Sequence, residues 1–128
     1  MLNILITLIL VNMASQCESS QVPMIITKEA HGQEFIFSVS DEYFVSLKGN
    51  PTTGYTWSVS QLDSTMLRQI GEAEFRPESK KMGAPGQQIF RFLCLYEGQT
   101  ELHFIYHRPW EKDTAPIDSF YVTVVIDK

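Results

Sequence analysis

From residue 24 onward, apolar and polar side chains alternate with a period of two almost to the end of the chain. That spacing belongs to strands that turn one face to a core and the other to water. Residues 24–28 read as a short strand. In 34–39 Phe35, Phe37 and Val39 share a face, and in 43–48 Tyr43, Val45 and Leu47 do. Residues 55–60 set Tyr55, Trp57 and Val59 against Thr56, Ser58 and Ser60. The pattern returns in 89–96 with Phe90, Phe92 and Cys94, and in 101–107 with Leu102, Phe104 and Tyr106. Residues 119–126 close it with Phe120, Val122, Val124 and Ile126 on one side. Gly or Pro interrupts these runs at Gly32, from Gly49 to Gly54, at Gly71 and Pro77, from Gly83 to Gly86, at Gly98 and from Pro109 to Pro116, so turns are expected there. Only residues 61–70 carry any helical character, about one turn of it, and residues 67–76 are read as a returning strand. Seven to eight short strands separated by turn residues predict an all-β fold, an immunoglobulin-like antiparallel β-sandwich with Trp57 in its core.

Composition narrows the class. A chain of 128 residues with 44% hydrophobic, 12% aromatic and 20% charged positions suits one folded domain and not a disordered segment. A net charge of −5 with a pI near 5.1 argues against nucleic acid or an anionic membrane as the partner. Two cysteines are too few for a disulfide-dense scaffold or a four-thiolate zinc site. Cys94 falls on the inward face with Phe90 and Phe92, which makes it a buried, inert thiol.

The N-terminus bears on compartment. Residues 2–11 form an apolar run broken only by Asn3 and Thr7, followed by the small residues Ala14 and Ser15. The run is too short to span a membrane but has the length of a signal-peptide core. A signal peptide over residues 1–19, cleaved between Ala14 and Ser20, would leave a domain of residues 20–128 in the secretory pathway, secreted or lysosomal. No Lys or Arg precedes the run, and if the signal is not used the chain stays cytoplasmic.

Function on such a scaffold sits on loops, and three stand out by their chemistry. In residues 49–57, Pro51 fixes φ and Gly54 permits a positive one, so Thr52 and Thr53 sit on a shaped tip. Residues 80–87 place Gly83, Ala84, Pro85 and Gly86 at a sharp or mobile tip, with neither the GK[ST] ending nor the following helix of a phosphate loop. Residues 106–112 hold Arg108, Pro109 and Trp110, residue types found at interface hot spots. Each has an ordinary alternative: a strand-connecting turn, a flexible hairpin tip, or a tryptophan folded back over the sandwich beside a salt-bridged arginine. Counting strand crossings puts all three at the same end of the sandwich.

The motifs NPTTGY at residues 50–55, a Gly-rich loop at 83–86 and RPW at 108–110, in that order and at these separations, resemble the chagasin/amoebiasin family of cysteine-protease inhibitors. The resemblance spans roughly residues 24–128. It departs from the family pattern in the middle loop, where Gly83-Ala84-Pro85-Gly86 replaces a Gly-x-Gly-Gly core and Pro85 removes a backbone donor. The resemblance implies a reversible, competitive inhibitor of papain-like, cathepsin-like cysteine proteases. No cofactor is expected, and the oligomeric state is open, with a monomer the default for an inhibitor whose loops must reach into a cleft. It implies that Asn50, Pro51, Thr52, Thr53, Gly54 and Tyr55 enter the cleft, with Thr52 and Thr53 nearest the catalytic cysteine and histidine. Gly83, Ala84, Pro85 and Gly86 would flank one side. Arg108, Pro109 and Trp110 would flank the other, Trp110 packing on the protease and Arg108 bonding to a carboxylate there.

Other readings of the residues remain. His103 and His107 share a strand face and, with His31, suggest a metal site, but positions four apart lie roughly 13 Å apart along a strand, too far for one ion. The carboxylates are scattered and spacing selects no acid/base pair, so nothing points to an enzyme. A carbohydrate- or protein-binding adhesion-type sandwich is the rival class, with Trp110 and Tyr55 as an aromatic platform.

Overall fold

The strand pattern, followed in the computed structural model, which describes residues 24–128, yields nine strands in two sheets. The expected signal segment and Cys17 lie outside the described residues. The strands are β1 (Met24–Thr27), β2 (Glu34–Ser38), β3 (Glu42–Gly49), β4 (Thr56–Gln61), β5 (Leu67–Gln69), β6 (Glu74–Pro77), β7 (Gly86–Cys94), β8 (Gly98–His107) and β9 (Asp118–Asp127). One sheet has the order β1-β3-β7-β5, with β6 also pairing β7, and the other has the order β2-β9-β8-β4.

The sandwich is the expected one, and it differs in two details. The single returning strand read at residues 67–76 is two, because the chain leaves β7 after Gln69 and rejoins it at Glu74. The helical character ahead of it amounts to one turn: the Asp63 carbonyl accepts from the amides of Met66 and Leu67 at 3.0 and 2.9 Å. The second detail concerns direction. β3–β7, β4–β8 and β8–β9 pair antiparallel, but β1 runs parallel to β3 and β2 parallel to β9. Instead of folding back as a hairpin, the chain crosses between sheets through a 3-10 turn at Lys28–Ala30. Each edge strand therefore lies beside a strand distant in sequence, an arrangement that no local pattern encodes.

The inward faces are those set by the alternation. Tyr43, Val45, Leu47, Phe90, Phe92 and Cys94 of one sheet meet Trp57, Leu102, Phe104, Phe120, Val122, Val124 and Ile126 of the other, all buried. Phe90 and Phe104 touch edge to face across the interface at 4.9 Å, and Phe37 stacks on Tyr43 at 4.4 Å. Truncating one such ring costs about 3–5 kcal/mol. Exposed ion pairs such as Lys28–Asp118 at 3.2 Å and Lys48–Glu78 at 3.6 Å contribute about 0–1 kcal/mol each. The core, not the surface charge, holds the two sheets together. Burial pushes the Cys94 thiol up to about 11, with Asp41 adding to it, so the residue is neutral and unreactive.

Candidate functional site

β3, β6 and β8 all run toward one end of the sandwich, and β4, β7 and β9 run away from it. The connections at 50–55, 78–85 and 108–117 therefore emerge together, and hydrogen bonds join them.

The threonine loop is a short 3-10 turn, Pro51–Thr53, whose entry and exit are both capped. Asn50 Oδ1 accepts from the Thr52 amide at 3.1 Å and from the Thr52 hydroxyl at 2.6 Å. The Thr53 hydroxyl donates to the Asn50 carbonyl at 2.7 Å. Gly54 ends the turn in the left-handed region at φ 86°, its amide donating to the Pro51 carbonyl at 3.0 Å. A side chain there would be strained twice. Its Cβ would also lie 2.5 Å from Trp110 Cη2, so the indole rests directly over the glycine. Both threonine hydroxyls are thus turned onto their own loop while the residues stay exposed.

The loops are tied to one another by two polar contacts. Asn50 Nδ2 donates to the Gly83 carbonyl at 3.1 Å, linking the first loop to the second. Arg108 Nε donates to the Thr53 carbonyl at 3.2 Å, linking the third to the first. The Arg108 guanidinium lies 4.4 Å over the Tyr55 ring, which stacks on Tyr106 at 5.5 Å, and Tyr106 leans on Trp57 at 5.0 Å. Tyr106 also accepts the Asn50 amide at its hydroxyl, at 3.1 Å. Arg108 is therefore committed within the chain, and the carboxylate nearest it is Glu111 of its own loop, at 3.9 Å. Trp110 is 66% exposed and Pro109 is exposed as well.

The Gly-rich loop is shaped by different means. Gly83 has φ 80° and open space around it. Ala84 donates to the Lys81 carbonyl at 3.2 Å, and the Pro85 carbonyl accepts the Glu78 amide at 2.9 Å. Gly86 sits in the ladder opposite Gly49 and Pro77, where a Cβ would come within 2.7 Å of Phe75 and Pro77. Lack of space requires glycine at that position. Two residues absent from the sequence-based site belong to it. Met82 is fully exposed at the tip of the second loop, and Tyr106 is the post that carries the first. Tyr106 was visible as an inward strand residue, but its hydroxyl partner was not.

The histidines do not converge. His103 Nε2 meets Glu101 at 2.8 Å, His107 Nε2 meets Ser58 at 3.0 Å, and His31 Nδ1 accepts the Tyr121 amide at 3.2 Å. No group of three or more metal-ligating side chains occurs among the described residues.

Comparison with known proteins identifies the family. The family model of the chagasin family peptidase inhibitor I42 matches residues 37–124. Amoebiasin-2 of Entamoeba histolytica is 30% identical over 106 residues, 82% of this chain and 85% of that protein. Chagasin of Trypanosoma cruzi is 26% identical over 101 residues, 76% of this chain and 92% of that one. The crystal structure of the cysteine protease inhibitor EhICP2 from Entamoeba histolytica superimposes with a TM-score of 0.72 at 28% identity, covering 80% of this chain and 94% of that one. With the family model matching well over half its length, the chain belongs to the chagasin family, whose members are peptidase inhibitors and not enzymes.

Proposed function

We propose that this chain inhibits papain-like cysteine proteases reversibly and competitively, by seating the three joined loops in the active-site cleft. The observation that carries the reading is the pair of bonds from Asn50 to Gly83 and from Arg108 to Thr53, which make one wedge of three separate loops. A loop already ordered before contact avoids the cost of ordering it, about 0.5–1.5 kcal/mol for each side chain immobilised. Thr52 and Thr53 stand at the leading edge, small and uncharged, with their hydroxyl hydrogens used internally. They cover the catalytic cysteine and histidine without offering a carbonyl in line for attack, so inhibition comes from occupancy and slow release. Trp110 and Met82 supply apolar surface on either side.

An aromatic platform for sugars fits less well. The Tyr55 ring is covered by Arg108 and stacked on Tyr106, so Trp110 is left as a lone exposed ring. The apolar run at residues 2–11 supports entry into the secretory pathway with loss of residues 1–19. N-terminal sequencing of the exported chain checks this, and an exported chain that still begins at Met1 would refute the cleavage.

The deciding experiment is titration of active-site-counted papain with the purified chain, following hydrolysis of a small fluorogenic substrate. Competitive inhibition at nanomolar concentration is expected. No inhibition of papain or of a cathepsin-like panel at micromolar concentration would overturn the reading and turn attention to glycan binding.

A further inference from the structure

Along β7, Gln88 stands on the same face as the buried Phe90, Phe92 and Cys94, so the period of two turns a polar amide inward at the loop-bearing end. Its side chain crosses from one sheet to the other. Oε1 accepts the Trp57 amide at 2.7 Å, while Nε2 donates to the Thr56 hydroxyl at 2.9 Å and to the Trp57 carbonyl at 3.4 Å. β4 is an edge strand, so the Trp57 peptide groups that face away from β8 have no neighbouring strand. The Gln88 amide offers one acceptor and two donors in the places where a strand would supply them. Trp57 answers in the opposite direction, its indole Nε1 donating to the Lys48 carbonyl on β3 at 3.0 Å. Lys48 precedes the threonine loop and Thr56 follows it, so these contacts brace both of its stems.

We infer that Gln88 is a positioning residue of the inhibitor: an amide clamp between the sheets that sets the spacing of the threonine loop's stems and so the presentation of Thr52 and Thr53. The role rests on the three-loop reading of inhibition above. Gln88 touches no part of a protease in that reading, and it acts only through Thr56, Trp57 and the loop they hold.

Two variants separate this role from a contribution to stability alone. Gln88→Leu keeps the bulk and removes all three bonds. Gln88→Glu keeps the acceptor facing the Trp57 amide and loses the donor until its carboxyl is protonated. For Gln88→Leu the inhibition constant against papain rises about tenfold, chiefly through faster dissociation, and amide hydrogen exchange quickens at Trp57 and residues 52–55. A core control, Phe37→Leu, lowers the thermal midpoint yet leaves the inhibition constant within about twofold of the parent. For Gln88→Glu inhibition is close to parental at acid pH and weakens severalfold toward neutrality, a profile the parent lacks. A folded Gln88→Leu that inhibits within about twofold of the parent would overturn the clamp, as would a Phe37→Leu that weakens inhibition as much at an equal loss of midpoint. If Gln88→Leu does not fold, the pH profile of Gln88→Glu decides alone, and a flat profile counts against the clamp. A parent chain that fails to inhibit papain overturns the functional reading, and the clamp's role falls with it. A parent that inhibits while the variants match it overturns the clamp alone.

Discussion

The threonine loop and the Gly-rich loop stand side by side on one edge, yet they are built on opposite principles. The first is cross-linked throughout: Asn50 caps its turn, Gly54 and Trp110 lock its exit, and Arg108, Tyr106 and Gln88 brace it from outside. The second is held chiefly at its base, through Pro85 to Glu78 and Gly86 in the ladder, while Met82 at the tip is fully exposed. A wedge that must cover one fixed pair of catalytic groups gains from rigidity. A flank that meets the variable rim of a cleft gains from a tip free to adjust. The contrast predicts that damage to the first loop and its supports weakens inhibition steeply, and that damage to the second does so mildly.

The steepest loss is expected for Trp110→Ala. It removes both an exposed apolar anchor and the ring that covers Gly54, a change of about 2–4 kcal/mol in binding. The inhibition constant should rise at least about tenfold with an unaltered circular dichroism spectrum; parental inhibition would remove Trp110 from the edge. Next comes Asn50→Ala, which deletes the cap on the 3-10 turn and the link to Gly83. Loss of a cap costs about 1 kcal/mol and loss of the bond to Gly83 about 0.5 kcal/mol more, so titration should show inhibition weakened about tenfold and a melting scan a fall of a few degrees. An Asn50→Ala chain as potent as the parent would mean the turn holds its shape without the cap.

Gly83→Ala tests the other side of the contrast. The position has φ 80° but open space, so only backbone strain of about 1 kcal/mol is added. Inhibition should weaken by less than about fivefold, and a loss as large as that of Asn50→Ala would erase the difference between the loops. The smallest effect belongs to Tyr43→Phe, far from the edge. The Tyr43 ring is fully buried and its hydroxyl has no hydrogen-bond partner among the described residues. Burial therefore pushes the phenol well above its ordinary range. Removing an unpaired buried hydroxyl is neutral or stabilising, so the thermal midpoint should stay level or rise with inhibition unchanged. A fall of several degrees would show that the hydroxyl has a partner.

Much of this could be read in the chain beforehand, and the limits are physical. The alternation placed Tyr43, Val45, Phe90, Phe92, Phe104 and Phe120 in the core because a pleated strand leaves each side chain only two directions. The motif residues at 50–55, 83–86 and 108–110 were legible because turns demand particular residue types. Gln88 was not legible: the apolar alternation starts at residue 89, and only the longer β7, Gly86–Cys94, puts this amide on the core face, where a polar group needs a partner. The motif resemblance points Arg108 at a carboxylate of a protease, and the ordinary alternative is a salt bridge within the chain; the fold lays its guanidinium on Tyr55 and Thr53. That difference depends on Tyr55, the last residue of the loop before β4, stacking on Tyr106 of the neighbouring strand β8, 51 positions away.

What the sequence by itself determined was local: which stretches form strands, which side of each is apolar, and which loops carry unusual chemistry. Those properties depend on side-chain type and on a period of two, and both act over a few residues. Only the tertiary structure decided the parallel pairing of β1 with β3 and β2 with β9, the splitting of β5 from β6, and the bonds that join three loops into one edge. Each of these is a contact between residues distant in the chain, and it exists only once two packed sheets bring those residues within hydrogen-bonding reach.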